Sequence, residues 1–226
     1  MLVCGLLLGP ALVAVGALAA EDAIEHAGSG PGSLETLMGY FAKSGGVRVR
    51  FKETRKLSIL TKPIETAGFL YFSPPDRLAR VTTHPGTSKV VVNGSSVVVT
   101  DANGRREMSL SSSATARGLV DNMMVILRGD LTELRDRYRA SYFPDGCGWV
   151  LELVPRSKAL RAVIERVRVS GEGAVLNRIE TFEANGDVTL AHYSDLETGL
   201  DFDSGEGESI FSIEPAAQSH LIDQSR

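Results

Sequence analysis

The residues of this chain able to do chemistry are few and poorly spaced for it. Its four histidines are His26, His84, His192 and His220. The first and last fall near the chain ends, and neither His84 nor His192 has a second ligand at metal-binding spacing. Gly171-Glu172-Gly173 lacks the third glycine of a dinucleotide loop and reads as a turn. Asp201-Phe202-Asp203-Ser204-Gly205-Glu206 opens like a calcium loop, but glycine stands at its fifth position and not at its sixth. No Gly-x-Ser-x-Gly elbow is present. Glu206 and Glu208 are paired carboxylates, yet they sit in an acidic, glycine-rich stretch that reads as flexible, where a tuned acid–base pair is hard to hold. The roles an enzyme needs are missing. No catalytic residue is assigned, and neither a metal ion nor another cofactor is expected.

Composition narrows the field further. The 226 residues carry a formal net charge of −4 and 43% hydrophobic residues, enough for one well-cored domain and hardly for two. Basic residues are scattered, so nucleic acid is not an expected partner. Their densest cluster is Arg48, Arg50, Lys52, Arg55 and Lys56, which reads as the solvated face of a strand that also guards an edge. Residues 1–20 hold no charge and end Ala17-Leu18-Ala19-Ala20, the pattern of a cleaved secretory signal, so export is expected. No Lys or Arg precedes that run, which leaves a start codon further upstream open. Cys4 lies inside the signal without a lipidation context. Cys147 then stands alone, cannot form an internal disulfide, and reads as a small buried hydrophobe. Residues 21–32 read as a flexible leader, 33–213 as the folded domain and 214–226 as a disordered tail.

The elements that would position any site follow from periodicity. Leu34, Leu37, Met38 and Phe41 make one stripe of an amphipathic helix, with Ser33 as N-cap and Gly45-Gly46 ending it. Val47, Val49 and Phe51 alternate with Arg48, Arg50 and Lys52, a strand with one wet face. Ala67 to Phe72 is apolar throughout and should be covered on both sides, until Pro74-Pro75 stops the ladder. Asn93-Gly94 predicts a type I′ hairpin, and Asn103-Gly104 a second tight turn, within an antiparallel meander. Ser111-Ser112-Ser113 leads into a helix carrying Ala116, Leu119, Val120, Met123, Met124, Ile126 and Leu127, closed by Gly129. Asp130 and Glu133 form a capping box for the next helix. Strands resume with Arg139 to Phe143 and the alternating Trp149, Leu151 and Leu153. Arg156 to Ala159 reads as a polar crossing, and hairpins follow through Gly173 and Asn185-Gly186. The fold class is α+β, mainly β, with about ten or eleven strands.

One stretch carries a family resemblance. A one-sided strand with Phe51-Lys52-Glu53-Thr54-Arg55 is followed by a strand led by Gly68, by Ser73-Pro74-Pro75-Asp76 and by a third short strand, with a methionine-bearing helical insertion later. This order resembles the LolA-type periplasmic carriers of outer-membrane lipoproteins, and among them the divergent members found beside lipid-biosynthesis genes. The likeness runs to about Gly199. It implies an unclosed antiparallel half-barrel whose concave face is covered by helices, one of them a movable lid over an apolar cavity. It implies a soluble monomeric shuttle in the periplasm, given acyl chains of a lipoprotein or another lipid by an inner-membrane transporter and passing them to an outer-membrane acceptor. Candidate lipid-binding residues are Phe69, Tyr71, Leu119, Met123, Leu127, Trp149 and Leu151, each of which could equally be plain core. The carriers place an arginine just before the proline that follows the second strand, where it latches the lid. Here Ser73-Pro74 stands in that place, so the latch must differ. A glycolipid or polyene-type lipid stays open as cargo, and an envelope lipid-sensing module as another role.

Overall fold

Alternation decides the sheet. In β1 (Gly46–Lys56) Val47, Val49 and Phe51 are buried while Arg48, Arg50 and Lys52 point to the other side. Ten further strands follow: β2 (Ile64–Ser73), β3 (Arg77–His84), β4 (Ser88–Asn93), β5 (Ser96–Asp101), β6 (Gly104–Ser109), β7 (Tyr138–Asp145), β8 (Gly148–Pro155), β9 (Ile164–Glu172), β10 (Val175–Glu183) and β11 (Val188–Leu200). They form one antiparallel sheet in the order β6-β5-β4-β3-β2-β1-β11-β10-β9-β8-β7. The edge strands β6 and β7 do not pair with each other, so the sheet is an unclosed half-barrel, as the family resemblance implies. The computed structural model describes residues 30–112, 120, 124–204 and 206–212. The expected signal, most of the leader and the tail from 214 lie outside them, as do Leu119 and Met123.

Helices cover the concave face. Ser33 caps α1 (Leu34–Ala42), its hydroxyl accepting the Thr36 N–H, and Leu34, Leu37 and Met38 are buried. The segment between β6 and β7 contains a short 3₁₀ turn (Leu110–Ser112), a helical turn at 124–127, and α2 (Leu131–Arg137), capped by Asp130 as expected. Gly129 has φ +65°, and a Cβ there would lie 2.3 Å from both the Met38 carbonyl oxygen and the Ala42 amide nitrogen. Only glycine lets the helical turn close down on α1 at that point.

The concave side holds two separate cores. One joins Leu37, Met38, Val125, Ile126 and Leu134 to Trp149, Leu151, Leu153, Val167 and Val169, beneath the β7–β9 half. The other joins Val47, Val49, Leu70, Phe72, Leu78, Val92 and Val97 to Leu110 and Met124, beneath the β1–β5 half. The helical turn at 124–127 straddles them, with Met124 in one core and Val125 and Ile126 in the other.

Four expectations are corrected in detail. The β4–β5 ladder ends at Asn93↔Ser96, so the loop is Gly94-Ser95, and Gly94 alone has positive φ (+56°). That is the type II′ pattern, with Asn93 closing the strand instead of making the turn. Cys147 is exposed, because the equally short β7–β8 loop is Gly146-Cys147. The polar crossing contains a one-turn helix, α3 (Lys158–Arg161), capped by Ser157. The acidic stretch from Asp201 is not loose: α4 (Glu206–Phe211) brings Phe202 and Phe211 onto the convex face, where they pack with Tyr71, Ala79, Val91 and Leu200. Two buried phenylalanines outweigh the local charge density. They also supply the second cover that an apolar β2 requires.

The β1–β2 loop is clamped at its base. Ser58 donates from its backbone N–H (2.7 Å) and hydroxyl (3.0 Å) to Oδ1 of Asp187, and Asn185 Nδ2 donates to Oδ2 (3.0 Å). The Ser58 backbone N–H, above all, holds the Asp187 carboxyl below the usual aspartate range. Its stabilising effect is therefore complete above the unfolded value of about 3.9 and is lost as pH falls through the lower folded value. Asp187→Asn should lower the thermal midpoint at neutral pH and flatten its decline below about pH 4. Thermal melts across that range check this, and an unchanged profile would show that the clamp carries no weight.

Candidate functional site

Among the described residues the two cores stay separate, and between them lies a cavity of about 510 Å³. Its floor is the middle of the sheet. Val47 and Val49 of β1, Leu70 of β2, Tyr193 of β11, Ile179 and Thr181 of β10, Val167 and Ile164 of β9 and Leu153 of β8 all face it. Its roof is Tyr40, Phe41 and Ser44 at the end of α1, with Ile126 and Leu127 from the helical turn. These floor positions follow from register. Val49 lies opposite Leu70, Thr181 opposite Val167, and Val167 opposite Leu153, so period 2 puts them on one face.

Among the described residues none that lines the cavity is charged, and the polar side chains there are hydroxyls, on Tyr40, Ser44, Tyr138, Thr181, Tyr193 and Thr198. Burial pushes the Tyr193 hydroxyl up to about 12, so it stays a neutral donor at any physiological pH. Beside this wall the Arg80 guanidinium is tied to both Glu53 carboxylate oxygens (2.9 and 3.1 Å) and lies 4.1 Å from the Phe51 ring centroid. A half-buried cation is thereby neutralised on the cavity's flank instead of pointing into it.

The mouth is a fork in the sheet. The β10–β11 ladder runs from Phe182↔Val188 to Arg178↔His192 and stops. Beyond that point β11 stays with β1 as far as Leu200↔Gly46, and β10 stays with β9 as far as Val175↔Glu172. Register shifts in both flanking ladders, and Asp195 at φ +54°, add the local twist that draws the arms apart. Ala174, Val175 and Leu176 line one prong, and Leu196 and Thr198 the other. Val175 and Leu196 are among the large apolar side chains left exposed. The Gly199 N–H donates to the Ser44 carbonyl (2.8 Å), fastening the β11 prong to the end of α1. The rim is thus apolar, with hydroxyls of Tyr40, Ser44 and Thr198 close by.

Of the seven residues predicted for the cavity, Leu127 lines it. Trp149 and Leu151 are fully buried one layer aside, in the core under α1, where the Trp149 indole N–H donates to the Gly173 carbonyl (2.9 Å). Phe69 and Tyr71 face the other way. Their partners Arg50 and Arg48 are on the convex side, and the two guanidinium carbons lie 4.7 and 4.6 Å from the Phe69 ring centroid. Leu119 and Met123 lie outside the described residues. Ser73, in the place of the family arginine, is buried and accepts a hydrogen bond from Arg77 Nη2 (2.7 Å), which also meets Asp203. Among the described residues, that arginine fastens the convex C-terminal segment.

Charge on the rim should block the mouth without disturbing the fold, because Leu196 is already 38% exposed. Leu196→Glu is expected to weaken uptake of a fluorescent apolar probe about tenfold or more, while Phe69→Ala on the far face leaves uptake unchanged. Titrations with circular dichroism as a fold control decide it, and equal losses in both variants would remove the cavity as the binding site.

A family model for the LolA-like outer membrane lipoprotein carrier protein matches residues 32–195. Solved structures of similar fold include the LolA superfamily protein NE2245 from Nitrosomonas europaea, at 14% identity and a TM-score of 0.46, covering 80% of this chain and 97% of that one. A DUF1329 family protein from Desulfovibrio piger is 15% identical with a TM-score of 0.45, covering 80% and 95%. MucB is 15% identical with a TM-score of 0.46, covering 83% of this chain and 65% of its own. No curated protein matches the chain. With most of its length matched by that model, the chain belongs to the LolA-like outer membrane lipoprotein carrier family.

Proposed function

We propose that this protein is a periplasmic carrier that holds an acyl chain of a lipid or lipoprotein in the central cavity and moves it between the inner and outer membranes. The observation that carries this reading is a cavity whose described lining is apolar and hydroxylic, opening through an apolar-rimmed fork. Burial of a chain is worth ~0.8 kcal/mol per methylene. A methylene is close in size to a water molecule, whose share of liquid volume is ~30 Å³, so 510 Å³ takes about 17 of them. The gross gain is then ~14 kcal/mol, against an association and ordering cost of ~4–15 kcal/mol. The two are of comparable size, the balance that a carrier able to give up its cargo requires. Donor and acceptor would be membrane-bound partners, as the family implies.

Capacity favours a second, narrower version of the same reading. A cargo with one long chain fits whole, whereas a lipoprotein with several acyl chains would require the cover to shift. A single-tailed lipid is therefore the better fit to the space, with its head group near Tyr40, Ser44 and Thr198 at the mouth. Native mass spectrometry of the protein recovered from its own periplasm should show one lipid per chain. Ile179→Glu, a charge in the cavity floor, should abolish that adduct. Protein recovered without lipid that also fails to take up a fluorescent fatty acid would end the carrier reading, and two or more chains bound per protein would end the single-tail version.

A further inference from the structure

The strongest feature left unused by the cavity is the tip of the β1–β2 loop. Ile59 is 87% exposed, Leu60 47% and Ile64 42%. Three large aliphatic side chains in water within six residues are unusual for a surface that contacts nothing. The loop is not a floppy excursion, because Ser58 is pinned to Asp187 through both its N–H and its hydroxyl and Arg55 pairs with Glu183 on the neighbouring hairpin. Lys56 and Lys62 flank the tip and are exposed. Glu183 is taken up by Arg55 and Asp187 by Ser58 and Asn185, and the next acidic residue along the chain from the tip is the exposed Glu65. The lysines stand out on a chain whose net charge is −4.

We propose that this loop is a docking element for an anionic lipid bilayer: Ile59 and Leu60 enter the interface while Lys56 and Lys62 meet lipid phosphates. An aliphatic tip carried between basic side chains is what such an interface rewards, since apolar burial and attraction to anionic headgroups act together. The electrostatic complementarity selects a charged bilayer over an apolar protein groove. The loop lies at the Lys56 end of β1, whereas the fork lies at its Gly46 end, where Leu200 pairs. Docking would therefore hold the protein at a membrane with its mouth turned away from the lipid and free for a partner that projects from that membrane.

The test needs no cargo, so its outcome is independent of the carrier reading. The chain as recovered from the cell, with its N-terminus determined, is floated with phosphatidylglycerol vesicles and with phosphatidylcholine vesicles. The parent protein should co-float with the anionic vesicles and be released by high salt. The double variant Ile59→Asp, Leu60→Asp should bind about tenfold or more weakly, and Lys56→Glu with Lys62→Glu should abolish the preference for anionic lipid. Both keep the Ser58–Asp187 clamp, so thermal melts should match the parent. Equal flotation of parent and variants, or no flotation of the parent, overturns the proposal. A parent that ignores vesicles but loses capture of a purified membrane protein on Ile59→Asp overturns it in favour of a protein partner.

Discussion

Strand β11 cannot serve both neighbours along its whole length, and the rest of the structure follows from that conflict. From Val188 to His192 it is shared between β1 and β10. Beyond, the twist accumulated over a strongly bent sheet forces a choice, and it stays with β1. Separation of the two ladders leaves the fork, and the fork gives the concave space a way out. Because the sheet never closes, each half gathers its own core under the helices, and the described residues roof the middle strip without filling it.

What keeps that strip empty is rigidity on both sides of it. Interiors pack at crystal-like density, so two well-filled cores can bracket a gap only if neither collapses into it. Trp149, Leu151 and Leu153 with α1 fix one wall, and Val47, Phe72 and Leu78 with Met124 fix the other. The helical turn at 124–127 contributes to both cores and to the cavity roof, and its fit against α1 turns on Gly129. On the convex side, Arg178, Glu180, Arg168 and Glu152 form a ladder of ion pairs across β10, β9 and β8. Exposed pairs of this kind contribute little to stability individually. The curvature therefore rests on the apolar concave side.

Much of this was legible in the sequence where one face differed from the other. The alternation of Val47, Val49 and Phe51 with Arg48, Arg50 and Lys52, the caps at Ser33 and Asp130, and the closing glycine at 129 each matched a local rule that tertiary contacts did not override. The cavity was harder to read for a specific reason. Strand β2 is apolar on both faces, so nothing within it separates Leu70 and Phe72, which face inward, from Phe69 and Tyr71, which face out. Pairing register with β1 supplies the missing distinction, since Leu70 lies opposite Val49 and Phe72 opposite Val47. In β10 every position after Val175 is half-buried, which erases the alternation that would have marked Ile179 and Thr181. The cover at the back was hidden too. Phe202 and Phe211 are separated by a run of glycine, serine and acid, and only the apolar convex face of β2–β4 gives them somewhere to go.

That last contact means the unit that folds is longer than the unit that is recognisably related. The family likeness ends at residue 195, in the middle of β11, yet the chain continues through the second prong of the fork and then straps itself over the reverse of the sheet. Arg77 holds the strap at Asp203 and stacks on Phe211, and Lys89 holds it at the Ser209 carbonyl. A protein trimmed to the shared portion would lack one lip of its own opening and would expose Tyr71, Ala79 and Val91 as a greasy stripe facing outward. It would be adhesive on its back for reasons unrelated to what it holds inside.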